Sequence, residues 1–134
     1  MHVTVATPEG YEPNSRILAD AMNAARDTGS VIEIVEDPLE GVAGADAVYT
    51  DVWASMGQED EIEERNAIFS GYRVSEAMME RAKPDALFMH CLPAHRGAEV
   101  TAEVIDGPNS IVFDIAENRL HVQKAVMAHL MGKS

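Results

Sequence analysis

The chain has 134 residues, 46% of them apolar and 25% charged, and 10 Lys+Arg against 23 Asp+Glu give a formal charge of −13. At about 100–200 residues per domain this is material for one domain with a real core, and the acidic balance repels phosphate backbones and anionic lipid, so neither nucleic acid nor a membrane is an expected partner. No apolar run reaches the ~18 residues of a bilayer span, the stretch from Met1 to Ala6 lacks the order of a signal peptide, and the single cysteine, Cys91, permits no intrachain disulfide; the expected location is the cytoplasm.

Short apolar blocks rich in β-branched residues predict five strands, at Val3 to Thr7, Val31 to Val35, Ala47 to Val52, Ala86 to Cys91 and Ile111 to Ile115. Helical stretches separate them. The first, capped by Asn14 or Ser15 and stopped at Gly29, carries Ile17, Leu18, Ala21, Met22 and Ala25 on one face, which is expected to pack on the sheet. A second opens with Gln58, Glu59, Asp60 and Glu61, acids suited to the positive end of the helix dipole, and runs towards Phe69. Ser75 caps a third through Met78, Met79 and Ala82, ended by Pro84. The last starts at about Asn118, stacks Val122, Val126 and Leu130, and ends near Gly132. Alternating strands and helices predict an α/β fold, a doubly wound, Rossmann-like, mostly parallel sheet of about five strands flanked by helices.

Parallel strands deliver the loops at their C-terminal ends to one sheet edge, where ligands bind. There the chain places Asp51, then Ser55-Met56-Gly57, then His90-Cys91-Leu92-Pro93-Ala94-His95-Arg96, and then Arg119. An ionised Asp51 at a strand end needs a partner, which a ligand ammonium would supply; a helix cap is the equal alternative. Ser55 can donate a hydrogen bond and Met56 can cover aliphatic carbon, unless the turn is a plain connection. Cys91 near histidines and an arginine has the setting for thiolate character or proton handling, although a lone cysteine on an apolar strand is more often a small buried hydrophobe. The Leu92–Pro93 bond is a candidate for the cis form, turning carbonyls towards the cleft where they would bind an amine. Arg96 and Arg119 suit a carboxylate, a phosphate or a developing oxyanion, the alternative for Arg119 being a surface ion pair with Glu117 or a neighbouring acid. The spacing of His90, His95 and His121 fits no zinc pattern, so no metal is expected, and no dinucleotide, P-loop or serine-hydrolase motif occurs.

Three long stretches carry a resemblance: Asp51-Val52-Trp53-Ala54-Ser55-Met56-Gly57-Gln58-Glu59, Phe88 through Gly97 with its His-Cys-Leu-Pro core, and Ala116-Glu117-Asn118-Arg119-Leu120-His121 through Ala125. Together with Val3 to Tyr11 they resemble the C-terminal, ornithine-binding domain of ornithine carbamoyltransferases over nearly the whole chain. The resemblance implies transfer of a carbamoyl group from carbamoyl phosphate to the δ-amine of L-ornithine, giving citrulline and phosphate, a step of arginine biosynthesis, with no metal or other cofactor. It implies that Asp51, Ser55 and Met56 hold the α-amino acid part of ornithine. Cys91 and Leu92 would lie beside the reacting amine, with Cys91 handling the proton and Arg119 contacting carbamoyl phosphate. The Ser-Met-Gly turn favours ornithine over putrescine or an N-acylated ornithine. Ile115 departs from the pattern, which has a polar or acidic residue there.

Complete family members are about twice as long and form trimers; their N-terminal domain carries Ser-x-Arg-Thr and His-Pro-x-Gln strings that do not occur here. The resemblance also implies an earlier strand and helix of this same domain, absent from these residues, with that strand lying between those at Val3 to Thr7 and Ala47 to Val52. The expectations are thus a single partial domain over residues 1–134 and ornithine as its ligand. Carbamoyl phosphate would bind only together with the missing domain, the chain alone would be inactive, and open strand edges would favour homo-oligomers. The alternative is a non-catalytic amino-acid-binding or structural module of the same fold.

Overall fold

The computed structural model describes residues 1–54, 57 and 61–132. Strand β1 (Val3–Ala6) is followed by helix α1 (Ser15–Thr28) and strand β2 (Ile32–Val35), which pairs parallel with β1 in the register Val3↔Ile32 to Ala6↔Val35. The Asn14 side chain accepts the Arg16 and Ile17 amides at 3.1 and 3.4 Å, and Gly29, at φ 68°, ends the helix in the left-handed conformation that glycine adopts without Cβ conflict. Helix α2 (Pro38–Gly41) is capped by Asp37 and has proline in its first turn, where the missing amide costs nothing. A Cβ on Gly41 would stand 2.9 Å from Ala6 Cβ, so glycine is what lets α2 lie against β1.

Strand β3 (Ala47–Thr50) pairs parallel with β4 (Leu87–His90), from Ala47↔Leu87 to Thr50↔His90. Between them run α3 (Ile62–Phe69), a 3₁₀ turn (Ser70–Tyr72) and α4 (Glu76–Met79), whose first turn is capped by Ser75 as the sequence predicts. Helices α5 (Ala102–Ile105) and α6 (Val112–Met131) complete the described elements.

Two expectations are corrected. The predicted fifth strand, Ile111 to Ile115, is the start of α6: Ile115 N–H already donates to Ile111 C=O at 3.0 Å. Extended pairing survives just upstream, where Ser110 forms a parallel bridge with Phe88. A short apolar run is ambiguous between strand and buried helix turn, and Val112, 2% exposed, packs in the core as the latter. The second correction concerns the sheet: among the described residues the four strands form two separate two-stranded sheets, β1–β2 and β3–β4, in place of one five-stranded sheet. A cavity of about 700 Å³ lies between them, lined on one side by β1 and on the other by β3. These are the two strands between which the resemblance implies another.

The packed core belongs to the β3–β4 half, where Phe88 and Val100 are completely buried among Val48, Val74, Met78 and Val112. No residue of β1 or β2 is fully buried, although parallel sheets are ordinarily covered on both faces. The face of α1 expected to pack on the sheet does so only in part: Ala25 is buried while Ile17 is 67% exposed, since a two-stranded ribbon is too narrow to cover it. At the C-terminal ends of the strands an aromatic cluster joins the halves. Phe69 meets Tyr11 edge-on at 4.9 Å, Trp53 at 6.1 Å and Tyr72 at 5.8 Å, and the Tyr72 hydroxyl donates to Glu36 C=O at 2.6 Å.

Candidate functional site

Because Thr50 is paired with His90, the next residues, Asp51 and Cys91, leave the two strands side by side. The Cys91 thiol donates to Asp51 Oδ1 at 3.1 Å, and the same oxygen accepts the Val52 amide at 2.7 Å. Arg119, brought over by α6, donates from Nη1 to Cys91 C=O at 3.0 Å, not to Glu117 as the alternative reading had it. Glu117 instead approaches His121 at 3.5 Å. A carboxylate, a thiol and a guanidinium therefore converge at one sheet edge, as the sequence predicts.

Partial burial pushes the Cys91 thiol above its ordinary pKa, the Asp51 carboxylate adds to this, and the Tyr49 hydroxyl opposes it. The net direction favours the protonated thiol, so of the two chemical readings offered for Cys91, thiolate character is the one disfavoured. Tyr49, which the sequence reading passed over, stands beside the cluster. Its phenol is pushed up by burial first, then by Cys91 and Asp51.

The Leu92–Pro93 bond is cis, and Leu92 has φ 56°. Behind this turn lies a buried polar network. His90, fully buried at the end of β4, accepts the Leu92 amide on Nδ1 at 2.8 Å, which leaves Nε2 to carry the hydrogen that faces Glu99 Oε1 at 3.3 Å. The approach is close but lacks hydrogen-bond alignment. Glu99, 1% exposed, accepts the His95 amide at 2.6 Å. The pair thus ties both ends of the segment from Leu92 to His95. Glu99 carries no motif signal; it is a lone acid between Ala98 and Val100, and only the fold reveals that it is buried.

Arg96 does not face the cleft. It makes a two-pronged bond to Asp106 at 2.8 and 2.6 Å, which holds the Asp106 carboxyl below the ordinary carboxylate range. Ser55 and Met56 lie outside the described residues. Asp51, His90 and Cys91 bring one potential ligand atom each within 4.8 Å, a grouping that histidine spacing did not suggest. Three donors are one short of a closed tetrahedral site, and the Cys91 thiol and Asp51 are already bonded to each other.

Parallel βαβ units with ionisable groups gathered at the C-terminal strand ends define the class: an α/β domain with a candidate site at that edge. The chain belongs to the aspartate/ornithine carbamoyltransferase family, whose Asp/Orn binding domain matches residues 1–130. It is 59% identical over 131 residues to an ornithine carbamoyltransferase of Thermococcus kodakarensis, covering 98% of this chain and 42% of that protein. With one from Symbiobacterium thermophilum it shares 60% identity over 132 residues, covering 98% and 43% respectively. The solved ornithine carbamoyltransferase of Pyrococcus furiosus superposes with a TM-score of 0.89 at 57% identity over 95% of this chain and 41% of that one. The chain therefore spans about two fifths of the length of these relatives. Among the described residues no helix is long and apolar enough to cross a membrane.

Proposed function

We propose that this chain is the ornithine-binding part of an ornithine carbamoyltransferase, a cytoplasmic step of arginine biosynthesis. The observation that supports this most is the meeting of Asp51, the Cys91 thiol and Arg119 at the joined ends of β3 and β4 in a chain of this family. Asp51, with Ser55 and Met56 beyond it, holds the α-amino acid part of L-ornithine by charge-assisted bonds. The backbone carbonyls at Cys91 and Leu92 orient the δ-amine, and Arg119, released from Cys91 C=O, faces the carbonyl oxygen on which negative charge grows. The amine nitrogen forms its bond to the carbamoyl carbon as the bond to the phosphate oxygen breaks, and its surplus proton must leave. A protonated Cys91 accepts that proton only by passing its own to Asp51, 3.1 Å away.

Carbamoyl phosphate needs ligands beyond residues 1–134, so this polypeptide alone forms no citrulline, and the complete assembly is a homo-oligomer, a trimer as in the family. Isothermal titration with L-ornithine tests the half-site. Saturable binding weakened about tenfold or more by Asp51→Ala, the loss of a charge-assisted bond, supports it. No binding by the folded chain overturns the half-site, and citrulline formation by the chain alone overturns its inactivity.

A further inference from the structure

We infer that Tyr49 is a positioning residue for Cys91, its hydroxyl donating to the sulfur so that the thiol hydrogen is directed onto Asp51. This rests on reading Cys91 as the proton-handling group and adds a residue to it. Three observations converge. Side chains of a strand alternate between faces, so Tyr49 and Asp51 share one face of β3, and Val48 and Thr50 share the other. The parallel register sets Tyr49 opposite Met89, which puts Cys91 one step diagonal from Tyr49 on that same face, within reach of a long aromatic side chain. The opposite face carries the fully buried Phe88 and His90, whereas Tyr49 is 55% exposed, so its phenol is no core filler. With the phenol in that reach, the effect of each group on the other agrees in sign, Tyr49 favouring the Cys91 thiolate and Cys91 favouring the neutral phenol.

The division of labour follows from donor chemistry. A thiol has one hydrogen to give and sulfur lone pairs to receive with. Sγ–H goes to Asp51 at 3.1 Å, so the lone pairs are what remain for the phenolic O–H. With only Asp51 as partner the thiol could turn about its Cα–Cβ bond. A second contact, from a residue on the same strand as Asp51, fixes the sulfur between them. The groups around the sulfur are Tyr49 from β3, Asp51 just past it, and His90 from β4, one of whose ring nitrogens lies within 4.8 Å of it while engaging Leu92 and Glu99; Arg119 from α6 holds the Cys91 carbonyl.

Cys91 is the one cysteine of the chain, so the rate of iodoacetamide alkylation against pH reads this thiol alone. In Tyr49→Phe the midpoint of that profile moves to higher pH, slowing alkylation on its rising limb by about fivefold, the equivalent of one hydrogen bond. The high-pH plateau, where every thiol is ionised, stays unchanged. Asp51→Asn moves the midpoint the opposite way. A merely structural role would alter the plateau, or would give the same displacement in Met89→Leu, the register partner of Tyr49. Either result, or an unmoved midpoint, overturns the inference. Should Tyr49→Phe fail to fold, Cys91→Ala supplies the reciprocal reading: one of the three tyrosines then titrates at lower pH in the ultraviolet, and no change overturns the inference. Alkylation needs no ornithine, so failure of ornithine binding and failure of the Tyr49 contact are separate results.

Discussion

Replacing Glu99 by alanine probes the network that holds the Cys91 turn. The side chain is 1% exposed, accepts the His95 amide at 2.6 Å and faces His90 Nε2 at 3.3 Å. Its removal takes the acceptor from two donors, the fully buried His90 Nε2–H and the part-buried His95 amide. An unpaired buried donor costs about 1–3 kcal/mol. The His90 contact is already misaligned and the His95 amide is only part-buried, so both belong at the low end and the sum is about 2 kcal/mol, a substantial share of the ~5–15 kcal/mol stability of an ordinary domain. In urea unfolding followed by far-ultraviolet circular dichroism, with a slope of about 1.5 kcal/mol per molar, the midpoint falls by about 1.3 M. Glu99→Gln sharpens the reasoning. His95 N–H and His90 Nε2 both face Glu99 Oε1, so a glutamine carbonyl oxygen in that place serves both, and the amide NH₂ takes the Oε2 position, 3.9 Å from His95 Nδ1. Well under half of the Glu99→Ala loss should therefore remain. A midpoint for Glu99→Ala within the ~0.5 kcal/mol typical of neutral surface changes would refute this account of the network.

Three further outcomes are expected. Gly41→Ala drives a Cβ to 2.9 Å from Ala6 and 3.3 Å from Val35, and thermal melting should show a loss of about 1–3 kcal/mol as α2 is forced off β1. Asn14→Ala removes the acceptor for two amides at the start of α1 and should lower stability by about 1 kcal/mol, read in the same melts. Because Arg96 lowers the folded-state pKa of Asp106, that carboxylate stabilises the fold fully above the ordinary value of about 3.9, and the contribution fades as pH falls through the lower folded value. The gap in melting temperature between the parent and Asp106→Asn should therefore be widest near neutrality and close at strongly acidic pH.

Local chemistry was legible in the sequence wherever one residue decides it. Asn14, Ser75 and Gly29 each bound a helix because the needed acceptor or φ belongs to the residue itself. The neighbouring positions of Asp51 and Cys91 followed from strand ends alone. Pairing was less legible, because an apolar block does not say which edge it will meet; hence one sheet was expected where β1–β2 and β3–β4 stand apart. Ile111 to Ile115 was ambiguous for the same reason, its apolar positions serving a helix turn as well as a strand. Glu99 and Tyr49 were invisible for a different one. Each matters through a partner far along the chain, His90 and Cys91 respectively, and nothing in their immediate neighbours announces it. Arg96 looked free for an anion until the fold set Asp106 against it.

The split sheet and the intact site are compatible because they belong to different halves of the molecule. Asp51, Tyr49 and Cys91 are carried by β3 and β4, and Arg119 by α6, whose Val112 packs in the same core as Phe88. That core holds β3, β4 and α6 in place without help from β1 or β2, neither of which contributes a fully buried residue. The other half reaches the site indirectly, through Tyr11 against Phe69 and through Tyr72 against Glu36. Asp51 nevertheless lines the cavity that separates β1 from β3. The positions of Asp51, Cys91 and Arg119 are thus set by the packed half, while the space around Asp51 depends on how far β1 stands from β3.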